Sequence, residues 1–170
     1  LDISTTNEIL VYINYDITTA GPASRPSILK LKSDGTIDWY KLYDFHSWQY
    51  GFMMATNDGG ALFTMSKTFV KIDSLGNVEW MNEFNGRFNP MKGIETDYGY
   101  AFSSFDHSSA IPINFLMLNK DGSVRWNISN LNTFIVRNST LLSNGNLVYL
   151  GMDGSTGVIK ILEENGQETA

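Results

Sequence analysis

Two histidines, His46 and His107, are the side chains best suited to move a proton or hold a metal near neutral pH. Neither has a second histidine or a carboxylate cluster at ligand spacing. The chain contains no cysteine, which excludes disulfides, thiolate metal sites and thiol nucleophiles. Both histidines therefore read as ordinary loop or surface residues. Asp16, Asp44, Asp58, Asp97 and Asp106 stand near the ends of apolar runs, where carboxylates could meet a cation or a sugar hydroxyl. Aspartate is also what tight turns use, because its side chain accepts a backbone N–H two residues on. No Asp-x-Asp-x-Asp-Gly calcium loop is present. Ser47, Ser66 and Ser108 lack the Gly-x-Ser-x-Gly elbow, and no His/Asp partnership follows from their spacing. Phosphate-cradling and dinucleotide fingerprints are missing too. The expectation is a protein with no catalytic residue, no metal and no cofactor.

The remaining chemical candidates are aromatic. Phe45-His46-Ser47-Trp48-Gln49-Tyr50 precedes an expected inner strand, and Trp48 or Tyr50 could stack on a sugar or a peptide. The competing reading is that Trp48 fills space between two sheets. Two glycosylation sequons, Asn127-Ile-Ser129 and Asn138-Ser-Thr140, are no more than an Asn-, Ser- and Thr-rich chain gives by chance, and they say nothing of location.

Composition narrows the classes further. A chain of 170 residues with 42% hydrophobic and 18% charged residues can bury a core. Twelve basic against eighteen acidic residues, a net charge of −6, argue against a nucleic-acid groove, which needs clustered Lys and Arg. No stretch approaches the roughly 20 apolar residues that span a bilayer as a helix, and the N-terminus lacks a signal-peptide layout. The covered chain is therefore expected to be soluble. It opens on Leu1 rather than Met, so an upstream segment is expected to have been removed or to lie outside this sequence.

What positions these residues is an internal repeat. Leu29-Lys-Leu-Lys-Ser-Asp-Gly-Thr-Ile-Asp-Trp39, Val70-Lys-Ile-Asp-Ser-Leu-Gly-Asn-Val-Glu-Trp80 and Leu116-Met-Leu-Asn-Lys-Asp-Gly-Ser-Val-Arg-Trp126 share an apolar alternation, a turn glycine and a tryptophan four positions after it. Ile159-Lys-Ile-Leu-Glu-Glu-Asn-Gly166 repeats the pattern with one extra residue before the turn. The glycines Gly35, Gly76, Gly122 and Gly166 are thus 41, 46 and 44 residues apart. A second register aligns Gly60, Gly99 and Gly145, so each repeat holds two hairpins, with approximate bounds 1–44, 45–86, 87–130 and 131–170. Asp34-Gly35, Asp121-Gly122, Asn144-Gly145 and Asn165-Gly166 predict two-residue type I′ turns. The flanking runs are rich in Val, Ile, Phe, Tyr and Thr at period two, which predicts strands and almost no helix.

The segments Asp34-Gly35-Thr-Ile-Asp-Trp39 and Thr56-Asn-Asp-Gly-Gly60-Ala-Leu resemble the repeats of β-propellers in secreted and surface-attached bacterial and archaeal proteins. More distantly, the Gly-x-x-x-Trp element is similar to the tryptophan-docking motif of quinoprotein propellers. The resemblance implies an all-β β-propeller of about four blades, each a four-stranded antiparallel sheet, with the repeated tryptophans packed between neighbouring blades. Little chain remains for the first inner strand and the last outer one, so the terminal blades are expected to be incomplete. None of the quinoprotein enzymes' cofactor or metal positions can be matched here, and a scaffold of this kind does not fix a function.

The expected role is a non-enzymatic structural or protein-interaction platform of an extracellular or cell-surface protein. Its structural positions are Gly35, Trp39, Gly76, Trp80, Gly122, Trp126 and Gly166. Three alternatives follow: self-assembly through open blade edges, a glycan-binding propeller using Trp48 and Tyr50, and last a quinoprotein-type enzyme. Loops of variable length, 17–26 and 106–112, are the expected recognition face.

Overall fold

A computed structural model describes residues 2–3, 8–16, 24–45, 51–65, 67–84, 88, 90–104, 113–129 and 134–169. Every regular element among them is a strand, and they form four antiparallel four-stranded sheets. The first contains β1 (Asp2–Ile3), β2 (Ile9–Asp16), β3 (Ser24–Leu31) and β4 (Ile37–Leu42); the second β5 (Met53–Ala55), β6 (Ala61–Met65), β7 (Thr68–Ile72) and β8 (Val78–Glu83). The third is β9 (Pro90–Thr96), β10 (Gly99–Ser104), β11 (Ile113–Asn119) and β12 (Val124–Ser129); the fourth β13 (Phe134–Leu141), β14 (Leu147–Asp153), β15 (Thr156–Leu162) and β16 (Glu168–Thr169). Strand order follows chain order in each sheet, because each strand is joined to the next by a loop and antiparallel neighbours need no crossover. The terminal sheets do have four strands, but β1 and β16 are two-residue stubs.

The four hairpins named above turn differently from the expectation. Gly35 N–H donates to Lys32 O at 2.9 Å while Lys32 N–H donates to Thr36 O at 2.9 Å, and the same pair of bonds recurs around Gly122, Gly145 and Gly166. These are three-residue loops with the glycine at positive φ, 80° to 85°, rather than two-residue type I′ turns. A type I turn followed by a left-handed residue also matches the twist of a hairpin. The fourth turn is the same size as the others: Glu163 N–H donates to Gln167 O at 2.9 Å. The extra residue is therefore a shift in alignment, and Ile161, not Lys160, occupies the place of Lys30.

The second register also moves. The turn glycine of the second sheet is Gly59, with φ 80°, and it matches Gly145. Gly60 matches Gly99 instead, and both are needed for closeness rather than for φ. A Cβ on Gly60 would lie 2.0 Å from Ile72 O, and one on Gly99 would lie 1.8 Å from Leu118 O.

The chain divides into two compact units, Leu1–Phe84 and Asn85–Ala170. In the first, Leu10, Ile28 and Tyr43 of the first sheet pack with Ala61, Phe63, Val70 and Ile72 of the second. In the other, Ala101, Phe115 and Met117 of the third sheet pack with Leu147, Tyr149 and Leu162 of the fourth. Each fully buried large apolar side chain contributes roughly 1.5–3 kcal/mol. A lone sheet has no partner for that face, so pairing the sheets is what stabilises them.

Candidate functional site

The tryptophan and glycine positions form docks between paired sheets. Trp39 Nε1–H donates to Ser74 O at 3.0 Å, and a Cβ on Gly76 would lie 3.0 Å from the indole. Trp126 Nε1–H donates to Glu164 O at 2.7 Å, with a Gly166 Cβ 2.9 Å from its ring. Each indole thus lies over the turn glycine of the following sheet and caps a carbonyl two residues before it. Any side chain there would displace the ring, and positive φ disfavours one as well. Trp80 is half-buried opposite Lys71 in the β7–β8 register, and Gly122 is buried at its turn with φ 80°. Gly35 has no atom of the described residues within 4 Å of where a Cβ would stand.

Two buried lysines accompany the docks, and the sequence reading missed them. Lys30 Nζ, on a side chain only 3% exposed, pairs with Glu8 at 3.1 Å and donates to Ser74 O at 3.1 Å and Gly59 O at 3.3 Å. Lys71, 1% exposed, pairs with Asp58 at 2.6 Å and Glu79 at 2.9 Å and donates to Ile72 O at 2.8 Å. Both precede their turn glycine by five residues on the apolar alternation. That recurrence of a charged residue among buried neighbours was the available signal, since buried lysines need partners.

The aspartates are turn builders. Asp58 Oδ1 accepts from Gly60 N–H at 2.9 Å and from the Thr56 hydroxyl at 2.6 Å. Burial pushes its carboxyl up, but the bonds from Lys71, Thr56 and Gly60 outweigh that and hold it below the usual carboxylate range. Asp34 and Asp121 accept in the same way from Thr36 and Ser123, whose hydroxyls lower them. Asp44 pairs with Arg25 at 3.2 Å, and Asp97 is exposed in the β9–β10 turn. Trp48 and Tyr50 lie outside the described residues, as do His46, His107, Ser47, Ser66, Ser108, Asp106 and the loops 17–23 and 106–112.

One open depression of about 460 Å³ is lined by Arg125, Asn144, Asn146, Glu163, Glu164 and Asn165. Arg125 is bound to Glu164 and lies over the Tyr98 ring at 5.2 Å. The lining offers amides and carboxylates but no nucleophile with a base, so it can hold polar groups and has no means to activate one. Burial pushes the Tyr12 phenol up to about 12 and raises Tyr149 as well, which makes both poor acids or nucleophiles at neutrality. Among the described residues no group of three His, Asp or Glu could hold a metal ion, and no helix is long and apolar enough to cross a membrane.

Stacked four-stranded meanders joined by docked indoles place the fold among β-propellers, with no sheet closed on itself. The chain is similar to a solved protein of unknown function from Bacteroides caccae, with a TM-score of 0.58 and 15% identity over 99% of this chain and 58% of that one. It is also similar to BBS1N, solved in complex with ARL6DN, with a TM-score of 0.56 and 12% identity over 95% of this chain and 52% of that one. BamB from Moraxella catarrhalis matches with a TM-score of 0.48 and 14% identity over 88% and 52% of the two chains. The chain thus spans little more than half the length of these solved structures. No family model matches the chain, and no curated protein matches its sequence.

Proposed function

We propose that this chain is a non-enzymatic β-propeller module of a secreted or cell-surface protein, acting as a structural and protein-interaction platform. The observation that carries it is how its buried charges are used. Lys30 and Lys71, the two buried lysines, bind turn carbonyls and carboxylates that hold neighbouring sheets or turns, so their charges are used within the scaffold. Support for a partner comes from BBS1N, which is similar in fold and was solved in complex with ARL6DN. The test is a panel of ester, glycoside and quinone-linked substrates offered to the purified chain. No turnover is expected; turnover abolished by a single substitution would overturn the reading.

A second reading is assembly by strand sharing. β1 pairs only with Ile9 and Leu10 of the eight-residue β2, and β16 only with Ile161 and Leu162 of β15. Among the described residues the rest of those two edges carries no strand, and such edges accept an added strand. Proline placed at alternate positions of β15 should abolish assembly of this kind, and assembly that survives it would exclude strand sharing.

A further inference from the structure

Each sheet has two faces, and within each unit one kind of junction recurs. The trailing face of one sheet, carrying Leu10 and Ile28 in the first or Phe115 and Met117 in the third, presses on the leading face of the next. The leading face carries Ala61, Phe63, Val70 and Ile72 in the second sheet, and Leu147, Tyr149 and Leu162 in the fourth. The strand registers fix the equivalences, because Ile9, Ala61 and Leu147 all pair with the last residue before the next turn: Leu31, Ile72 and Leu162.

Two other faces carry exposed apolar side chains, one on the fourth sheet and one on the first. On the trailing side of the fourth sheet, Val148 and Ile161 pair directly, as do Leu150 and Ile159. Ile159 is 63% exposed and Leu150 44% exposed. The residue equivalent to Ile159 in the first sheet is Ile28, which is fully buried. On the leading side of the first sheet stand Ile9, Val11 and Ile13 of β2 with Leu29 and Leu31 of β3. Ile13 is 39% exposed and the other four are half-buried, whereas Ala61, Phe63, Val70 and Ile72 in the same places of the second sheet are fully buried, Ile13 matching Met65. Beside this face, no ring among the described residues fills the Gly35 dock.

We propose that the chain associates head to tail with a second copy of itself, the trailing face of the fourth sheet seating on the leading face of the first sheet of its neighbour. The inference names a partner for the platform reading and rests on it. Both halves of a junction the chain already builds twice are present and, among the described residues, only partly covered, and apolar faces of this kind mark association sites. The contact joins different surfaces, so it propagates into a ring or a filament rather than stopping at a symmetric dimer. It also lacks one part. The residue four positions after Gly166 is Ala170 where the other repeats have tryptophan, so no indole fills the neighbour's Gly35 dock and the junction is weaker than the internal ones.

Sedimentation of the full chain from about 1 to about 100 μM, a range that reads micromolar affinities, should show concentration-dependent oligomers. Leu150→Lys/Ile159→Lys removes the tail and Val11→Lys/Ile13→Lys removes the head; each alone should be a folded monomer by circular dichroism, and a mixture of the two should give a one-to-one dimer. Ala170→Trp should lower the dissociation constant roughly tenfold or more, as a buried tryptophan anchor does, and Gly35→Val added to it should cancel that gain. A wild-type chain that stays monomeric throughout, or head and tail variants that fail to pair when mixed, would overturn the proposal. Either result leaves the platform reading to its own turnover test, so the two can fail separately.

Discussion

The two units build the same junction with different chemistry. In the first, Lys30 reaches across to the carbonyl of Gly59 and is balanced by Glu8. In the second, the place of Lys30 is taken by Met117, fully buried, and that of Glu8 by Gly99. The carbonyl equivalent to Gly59 O is Gly145 O, and it is satisfied from another direction: Tyr98 O–H donates to it at 2.8 Å. What persists between the units is therefore the need of the turn carbonyl for a donor, since a buried acceptor left without one costs more than any one donor contributes. The tryptophan bond is kept in both, and the rest of the donor set is interchangeable.

The strongest way to break the comparison is to move the lysine. Met117→Lys would bury an ammonium among Phe115, Leu147 and Tyr149, with Gly145 O and Glu164 O already bonded to Tyr98 and Trp126. A loss of about 3–5 kcal/mol is expected in urea unfolding, as for other uncompensated buried charges. Gly99→Glu cannot supply the missing carboxylate, because a Cβ there meets Leu118 O. A Met117→Lys chain as stable as wild type would mean that the two junctions are electrostatically equivalent.

The reverse exchange is milder. Lys30→Met leaves Gly59 O without its donor, while Ser74 O keeps the Trp39 bond. Glu8 remains 24% exposed and can turn to water. The expected cost is about 1–3 kcal/mol. Adding Glu8→Gln should cost less on the Lys30→Met background than on wild type, a coupling that a double-mutant cycle reads directly. Additive costs would show that Lys30 acts through the carbonyl alone.

Smaller still is Tyr98→Phe, which removes one neutral hydrogen bond to Gly145 O and keeps the ring under Arg125. About 1 kcal/mol should be lost. The same phenol removed from a Met117→Lys chain should cost almost nothing, because the lysine would then have an acceptor to take over. A full additional loss would separate Tyr98 from the lysine's role.

The repeated Gly-x-x-x-Trp, with its period-two flanks, made the strands and their grouping into four sheets legible, whereas the packing of tryptophans between sheets was implied only by the resemblance to propeller repeats. Tyr98 was not legible: it sits in a turn and bonds a carbonyl of another sheet, 47 residues away, and no local pattern encodes that. The turn type was misjudged because Asp-Gly and Asn-Gly suit both two-residue and three-residue loops; only the bond from Lys32 N–H to Thr36 O separates them. Trp48 and Tyr50, proposed for a glycan, fall outside the described residues, so no part of the site reading rests on them.

The finest difference between the units lies one residue before the turn glycine, where the first unit has Asp58 and the second Asn144. Both side chains accept the backbone N–H two residues on, Gly60 at 2.9 Å and Asn146 at 3.1 Å, but only Asp58 can be protonated, and its carboxyl is held below the usual range. Between that folded value and the unfolded value near about 3.9, the unfolded chain binds the proton and the folded chain does not, so stability rises with pH across the window. Asp58 therefore contributes fully above the unfolded value, and its share is lost as pH falls through the folded one. The urea midpoint of wild type should drop more steeply between about pH 5 and pH 2 than that of Asp58→Asn, which makes the first turn like the second. Asn144→Asp should add steepness by less, because no lysine stands where Lys71 meets Asp58: the equivalent of Lys71 in the fourth sheet is Ile161. Parallel curves for wild type and Asp58→Asn would mean that Lys71 holds its place through Glu79 and the Ile72 carbonyl without needing the turn carboxylate.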